Sequence, residues 1–184
     1  MTVQTVRTVR FVKTSQDRQD SQGRDDFRAV ALPTTPARRG TVSELEPRTR
    51  TVPAELPTEV FDWGSIKWGV SAGLFPGAPL TAGEVVINPT KGHDLHTHPN
   101  SDEVLYFVDG EGVQTVGDSG EFPVTAGDFV YVPRGTLHST FNTGWRQLRV
   151  IAVYTPGGAE QALRQLPDFT ALTPGVQPVW ERAR

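Results

Sequence analysis

The stretch HDLHTHPNSDEVLYFVDG, residues 93–110, holds three of the four histidines of this 184-residue chain. His96 and His98 are two positions apart, so on a β-strand their side chains project from the same face. The residues at 99–101, Pro-Asn-Ser, are typical of a turn, which allows the chain to bend and return Glu103 to that face. The stretch therefore predicts a strand, a bend and a second strand, with two imidazoles and one carboxylate directed to one place.

The fourth histidine, His138, is distant in sequence and can join this group only if the sheet closes into a barrel. Three neutral imidazoles and one carboxylate would form a good site for a divalent first-row transition metal, and a poor one for calcium or magnesium, which prefer oxygen ligands. The alternative is that the HTH segment is a polar loop and His138 an ordinary strand-end histidine. His93 lies three residues before His96 and has the opposite strand parity, so we expect it to be exposed at the rim of the barrel.

Short β-type segments separated by turn residues occur on both sides of this stretch. Eight segments have the composition of strands: 66–71, 83–88, 93–98, 103–110, 112–117, 129–133, 138–142 and 147–155. Their length and regular spacing predict an all-β sandwich or barrel rather than βαβ units. Only the segment GGAEQALRQL, residues 157–166, has the pattern of a helix.

A change in charge and composition suggests a boundary near residue 58. Residues 1–58 have a net charge of +3, whereas residues 59–184 have a net charge of −6, which together give −3. The first segment contains five prolines and a long polar stretch, so it cannot bury enough apolar surface to offset the entropy of ordering. We predict a flexible or extended N-terminal arm over residues 1–58 and a barrel with its C-terminal helix and tail over residues 59–184.

Overall composition excludes several classes of protein. The chain is 36% hydrophobic and 21% charged, and it has no basic excess of the kind that binds nucleic acid. No run of about 18 apolar residues could cross a membrane. The chain contains no cysteine, which excludes disulfides and thiolate metal sites. A cytoplasmic location is therefore the default expectation.

Two spaced motifs extend the histidine pattern. The first, H-x-H-x4-E-x6-G, comprises His96, His98, Glu103 and Gly110. The second, G-x5-P-x-G-x2-H-x3-N, comprises Gly127, Pro133, Gly135, His138 and Asn142. Two motifs in register are more specific than a single histidine pair.

These motifs resemble the paired signatures of the cupin superfamily, in particular its small single-domain metal-binding members of the cupin 2 type. The second motif agrees at every position, whereas the leading glycine of the first is replaced here by Thr90. The resemblance implies a double-stranded β-helix, or jelly-roll barrel, that would dimerise through its extended arm. It also implies that one divalent ion (Fe, Mn, Ni, Co, Cu or Zn) is bound by His96, His98, Glu103 and His138.

Four protein ligands on a six-coordinate ion leave two positions for substrate or dioxygen. We therefore expect a metal-dependent dioxygenase that acts on a small chelating organic substrate, with Glu103 as the candidate catalytic base. Two alternatives stay open: a non-redox metal-dependent isomerase or lyase, and a non-enzymatic small-ligand-binding cupin. Fold alone does not decide among them.

Strand parity also predicts the walls of the site. Leu105 and Phe107 share the face of Glu103, and we expect them to belong to the core of the barrel. Tyr106 has the opposite parity and should point away from the site. We expect Trp63 and Trp68 to be core or interface aromatics rather than walls of a pocket.

Overall fold

The computed structural model describes residues 49–179, which are built mainly of antiparallel β-strands. In this part of the chain there are eleven strands: β1 Thr58–Phe61, β2 Gly64–Val70, β3 Thr81–Ile87, β4 Gly92–His96, β5 Asp102–Asp109, β6 Glu111–Val116, β7 Glu121–Thr125, β8 Phe129–Val132, β9 His138–Asn142, β10 Leu148–Thr155 and β11 Thr170–Leu172. All eight predicted segments form strands. The all-β prediction is confirmed.

The strands form two sheets. The larger sheet has the order β11-β1-β2-β3-β10-β5-β8, and the smaller has the order β4-β9-β6-β7. Neighbours in each sheet are often far apart in sequence, as in a double-stranded β-helix, so the predicted jelly-roll architecture is confirmed. The apolar core includes Phe61, Ile87, Phe107 and Leu148, all of which are almost completely buried.

Strands β5 and β10 lie side by side and supply much of the inner face of the larger sheet. On β5 the predicted alternation holds, because Glu103, Leu105 and Phe107 are all buried. On β10 the buried residues are Leu148, Val150, Ala152 and Tyr154. In the register of the two strands Tyr154 lies opposite Glu103. The same alternation that builds the core therefore carries a carboxylate and a phenol to one end of it.

Three strands were not among the predicted segments. Strand β7 contains Pro123, whose missing N–H argues against a central strand, but β7 lies at the edge of the smaller sheet, where that donor is not needed. Strand β11 has only three residues and is recognisable as a strand only by its pairing with β1. Strand β1 crosses the predicted boundary at residue 58. Strands β7 and β11 are edge strands, and β1 has only four residues, so none of the three has a strong periodic signal.

The predicted C-terminal helix consists of two consecutive 3-10 segments, Ala159–Gln161 and Leu163–Gln165. The segment is short and ends before Pro167, and a single short helix gains little from cooperative hydrogen bonding. Gly158, the residue before the first 3-10 segment, has a φ of 119°. None of the helical segments of residues 49–179 is long and apolar enough to cross a membrane.

Most of the predicted N-terminal arm, residues 1–48, lies outside the described residues, as do residues 180–184 of the predicted tail. The last part of the arm contacts the barrel. The Thr51 hydroxyl donates a 2.9 Å hydrogen bond to the carbonyl of Gly69 on β2. Leu56, after a short 3-10 segment, is buried. Thr51 and Leu56 therefore attach this segment to the barrel, and the arm and domain boundary stay a prediction.

Thr90 has a φ of 63° in the turn that leads into β4. This is the position where the cupin motif has glycine, and a β-branched residue is strained in the left-handed region by roughly 1–2 kcal/mol. Thr90→Gly should therefore stabilise the chain by up to about 1 kcal/mol, since the greater freedom of unfolded glycine offsets part of the gain. Denaturant unfolding measures the difference.

Thr143→Gly is the matched control, because Thr143 is an exposed turn residue that has no positive φ. We expect this substitution to destabilise the chain by about 0.5–1 kcal/mol. The same sign for both substitutions would show that Thr90 is not strained.

Candidate metal centre

A β-bulge in β4 determines how its histidines face. Three residue steps on β4, from His93 to His96, lie opposite only two steps on β9, from Thr140 to His138. The extra residue reverses the parity of the strand, so His93 and His96 lie on the same side. The expectation that His93 is exposed at the rim is therefore wrong. Its ring is 3.8 Å from that of His96 between centroids, and it is partly buried.

The four residues implied by the motifs come together inside the barrel. One donor atom from each of His96, His98, Glu103 and His138 lies within 4.8 Å of the others. They come from the end of β4, the bend after it, the start of β5 and the start of β9. Two donors on opposite sides of one first-row ion are about 4.2 Å apart, so small rotations would allow all four to reach one ion.

Backbone carbonyl groups orient two of these imidazoles. The Nδ1 atoms of His96 and His138 lie 2.7 Å from the carbonyl of Asp94 and 2.9 Å from the carbonyl of Thr136. In a neutral ring Nδ1 must carry the proton to donate there, which leaves the lone pair on Nε2. Metal-binding histidines are commonly held in this way.

Three buried atoms of the cluster have no hydrogen-bond partner: His98 Nε2, Glu103 Oε2 and His138 Nε2. Glu103 Oε2 lies 2.8 Å from His138 Nε2 and 3.6 Å from His98 Nε2, but these close contacts lack the alignment of a hydrogen bond. When the His138 ring is neutral, with its Nδ1–H directed to Thr136, the 2.8 Å contact brings the lone pair of Nε2 against a carboxylate oxygen. Buried polar atoms are rarely left in this state, and a cation among them would satisfy all three. The donor set therefore fits a transition-metal ion.

The protonation of the histidines differs from that of exposed imidazoles. Burial, with the charges of neighbouring histidines, lowers the pKa of His93 to about 4 and the pKa of His96 to about 3. Burial also lowers the pKa of His98, against the opposing charge of Glu103. Burial acts in the same direction on His138, but the adjacent Glu103 carboxylate outweighs it and raises the pKa of His138 above 6.5. Among these four histidines, His138 is the one whose pKa is raised.

Aromatic residues form one wall of the cavity around the cluster. Trp63 is stacked on His93 at 5.2 Å and on Phe61 at 4.9 Å between ring centroids. It belongs to the buried core, as expected, and it also lines the cavity, which was not expected. Trp68 is a core residue as expected, and its Nε1–H donates to Glu59.

Tyr154 is the residue at the site that the sequence interpretation missed. It is buried, it lines the cavity, and its ring is 4.7 Å from that of His98. Burial raises the pKa of Tyr154 well above 10, and the charge of Glu103 and a hydrogen bond to it act in the same direction. The phenol therefore stays protonated and donates to the carboxylate. Alternation along residues 148–154 could have identified it, since the other inward residues of β10 are all apolar.

The cavity itself is small and largely apolar. Its volume is about 30 Å³, which is room for an ion and one or two water-sized ligands. Leu105, Val150 and Ala152 are among its lining residues, and no lysine or arginine lines it in the described part of the chain. Three cations of the barrel are used elsewhere: Arg134 pairs with Asp102, Arg149 with Glu84, and Lys67 donates to the carbonyl of Leu56. A bound anion would depend on the ion for its charge partner.

Comparison with known proteins agrees with this geometry. Residues 83–154, from β3 to β10, match the cupin domain family. They contain all four residues of the cluster. Residues 83–154 are therefore a cupin domain, and the predicted resemblance to the cupin superfamily is confirmed.

Three similar proteins share this segment. An oxalate-binding protein of Thermotoga maritima is 38% identical over 66 residues, which is 35% of this chain and 53% of that protein. The oxalate decarboxylase OxdC of Bacillus subtilis is 31% identical over 93 residues, 46% of this chain and 24% of that protein. The crystal structure of Lactobacillus farciminis oxalate decarboxylase in a formate complex aligns with a TM-score of 0.50 and 31% identity, over 55% of this chain and 31% of that one. The aligned segment covers less than two thirds of each relative.

Proposed function

We propose that this chain is a metal-dependent cupin in which His96, His98, Glu103 and His138 hold one divalent first-row transition metal. The observation that carries the proposal is the group of three buried, unpartnered donor atoms on His98, Glu103 and His138. Such atoms cost free energy unless a cation lies among them. The bound ion would supply Lewis acidity to a ligand that coordinates it.

The residues around the ion would bind and orient rather than supply further charge. Tyr154 donates to the Glu103 carboxylate and keeps it directed at the ion. Trp63, Leu105 and Val150 keep bulk water from the cavity, which strengthens electrostatic interactions within it. Among residues 49–179, Glu103 is the one carboxylate that lines the cavity, so it remains the proposed proton acceptor.

The proposed substrate or ligand is a small organic acid that chelates the ion. The small size of the cavity supports a molecule of few atoms, and two of the relatives carry oxalate decarboxylase or oxalate-binding names. Those names favour a non-redox lyase, or binding without turnover, over the dioxygenase expected from the ligand set. Assembly as a homodimer stays a prediction.

One experiment tests the metal and the reaction together. The full chain is loaded separately with Mn, Fe, Co, Ni, Cu and Zn, and bound metal is measured per chain. Each form is then mixed with oxalate and other short dicarboxylates and α-keto acids, while carbon dioxide release and oxygen uptake are followed. We expect one ion per chain. We also expect carbon dioxide release that depends on the added organic acid and occurs without stoichiometric oxygen uptake.

The other outcomes are equally informative. Oxygen uptake with an organic acid as substrate would favour the dioxygenase function expected from the ligand set. Saturable binding of an acid without turnover by any metal form would make the chain a binding protein. Failure to bind any of the metals would end the proposal.

Metal binding should release about one proton per ion at pH 6. Metal ligands must be deprotonated. The pKa of His96, about 3, leaves that ring neutral at this pH, the pKa of His98 is lowered in the same direction, and the raised pKa of His138 favours its proton. Three ordinary histidines would release roughly two protons under the same conditions. Calorimetric titration in buffers with different ionisation enthalpies counts the protons. Release of two or more would contradict the assignment of neutral rings.

Tyr154→Phe should weaken metal binding by about tenfold or more and leave the fold intact, because it removes only the hydroxyl that donates to Glu103. Competition with a chromophoric chelator measures the affinity. Tyr106→Phe is the control, since Tyr106 packs against Phe129 on the other side of the sheet. Equal affinities in the two variants would show that the Tyr154 hydroxyl does not support the site.

A further inference from the structure

A second and larger cavity lies apart from the metal centre. It has a volume of about 420 Å³, in the range of cavities that bind small molecules. Strands β1 and β2, the loop after β2 and the segment that follows β10 surround it. It has no lining residue in common with the cavity of the metal centre.

Two buried carboxylates and one guanidinium line this second cavity. Both oxygens of Glu59 have partners, because its Oε2 accepts from Trp68 Nε1–H at 2.9 Å and its Oε1 accepts from Arg164 Nε at 2.7 Å. Glu160 is different. It is only 5% exposed, and within residues 49–179 its one hydrogen bond comes from the backbone N–H of Gly158 to Oε2, at 2.9 Å.

The contact with Gly158 holds the start of the 3-10 segment and needs only one oxygen of Glu160. A carboxylate can accept about four hydrogen bonds, and a buried one is costly unless a cation or several donors satisfy it. With Glu59 and Arg164 paired to each other, the remaining charge at the cavity wall is the negative charge of Glu160. Oε1 of Glu160 is therefore available to a ligand in the cavity.

We propose that this cavity binds a small organic cation, with an ammonium or guanidinium group directed at Glu160. Such a group supplies both the positive charge and the several N–H donors that this carboxylate lacks. The adjacent Glu59–Arg164 ion pair is an example of the same carboxylate–guanidinium interaction within the chain. The rest of the ligand would lie along Trp68 and the loop of residues 71–74.

The probe is butylguanidinium, and its control is butylurea, which has nearly the same shape without the charge. Both are titrated into the full-length chain and followed by calorimetry and by ¹H–¹⁵N spectra. We expect butylguanidinium to bind at least tenfold more tightly than butylurea. The resonances of the Trp68 indole N–H and the Gly158 amide should shift, because both groups line this cavity.

Two charge variants should act in opposite directions. Glu160→Gln keeps an acceptor for the Gly158 N–H and should weaken butylguanidinium binding about tenfold or more. Arg164→Gln removes a positive charge from a half-exposed position and should strengthen binding. Glu121→Gln, an exposed carboxylate on β7, should change nothing. Thermal unfolding of each variant checks that the fold is kept.

Several results would overturn the proposal. The first is the absence of saturable butylguanidinium binding at concentrations up to about 20 mM, which is well above the millimolar Kd of a weak fragment. The others are equal affinity for butylurea and unchanged affinity for butylguanidinium in Glu160→Gln. Weaker binding in Arg164→Gln, or shifts confined to the histidines of the metal centre, would do the same.

Discussion

His138→Gln should lower the affinity for a first-row metal by about 100-fold or more, because it removes an imidazole donor from the centre of the cluster. Loss of groups that merely support a ligand costs 10–100-fold, and loss of a ligand costs at least as much. His138 is buried, and glutamine has a similar volume, so the barrel should fold without metal. Competition with a chromophoric chelator gives the affinity, and the melting temperature of the metal-free variant checks the fold.

His93→Gln is the matched control. His93 lies in the same cavity and touches His96, but it is outside the group of four donors. We expect its metal affinity to stay within about threefold of that of the unmodified chain. If His93→Gln lowered the metal affinity as much as His138→Gln is expected to, His93 would have to replace one of the four residues in the ligand set. Full affinity in His138→Gln would remove His138 from that set.

Phe107→Ala should destabilise the metal-free chain by about 3–5 kcal/mol, the usual cost of deleting a fully buried phenylalanine. Phe107 is 0% exposed and shares the inward face of β5 with Glu103 and Leu105. A domain of this size is stable by only about 5–15 kcal/mol, so the variant should unfold at a much lower denaturant concentration. Metal affinity should also fall, because Glu103 lies on the same strand and would be held less firmly.

Phe129→Ala makes the same chemical change on the neighbouring strand β8. Phe129 is 72% exposed and touches Tyr106 on the outer face of the sheet, so its loss should cost less than about 1 kcal/mol. Similar losses in the two variants would mean that the inner and outer faces of β5 and β8 are assigned wrongly. Denaturant unfolding of the three chains at one pH makes the comparison.

Local patterns were sufficient for most of the barrel and, with the two spaced motifs, for the cluster of four residues, whose role as metal ligands stays a prediction. Alternation on β5 put Glu103, Leu105 and Phe107 on one face, as observed. His96 and His98 were paired by their spacing, and the second motif added His138. These predictions succeed because a strand repeats every two residues, and because the turns between the strands are marked by glycine and proline.

The predictions based on strand parity were wrong where the backbone departs from a regular strand. The bulge in β4 reversed the side of His93, and nothing in the residues 92–96 signals an extra unpaired position. Trp63 became a wall of the cavity because His93 stacks on it. Strand β7, with Pro123 inside it, is stable only as an edge of the smaller sheet.

What the sequence determined by itself is the all-β fold and the inward faces of its long strands, since both follow from short-range periodicity and turn chemistry, whereas the proposed set of four ligands rests on the resemblance of two spaced motifs to those of cupins. Only the tertiary structure decided that three donor atoms are buried without partners, that Tyr154 reaches Glu103 and that Glu160 faces a second cavity. These depend on register between strands far apart in the chain, such as Tyr154 opposite Glu103 on β10 and β5. Register is a property of packed sheets, and no single segment contains it.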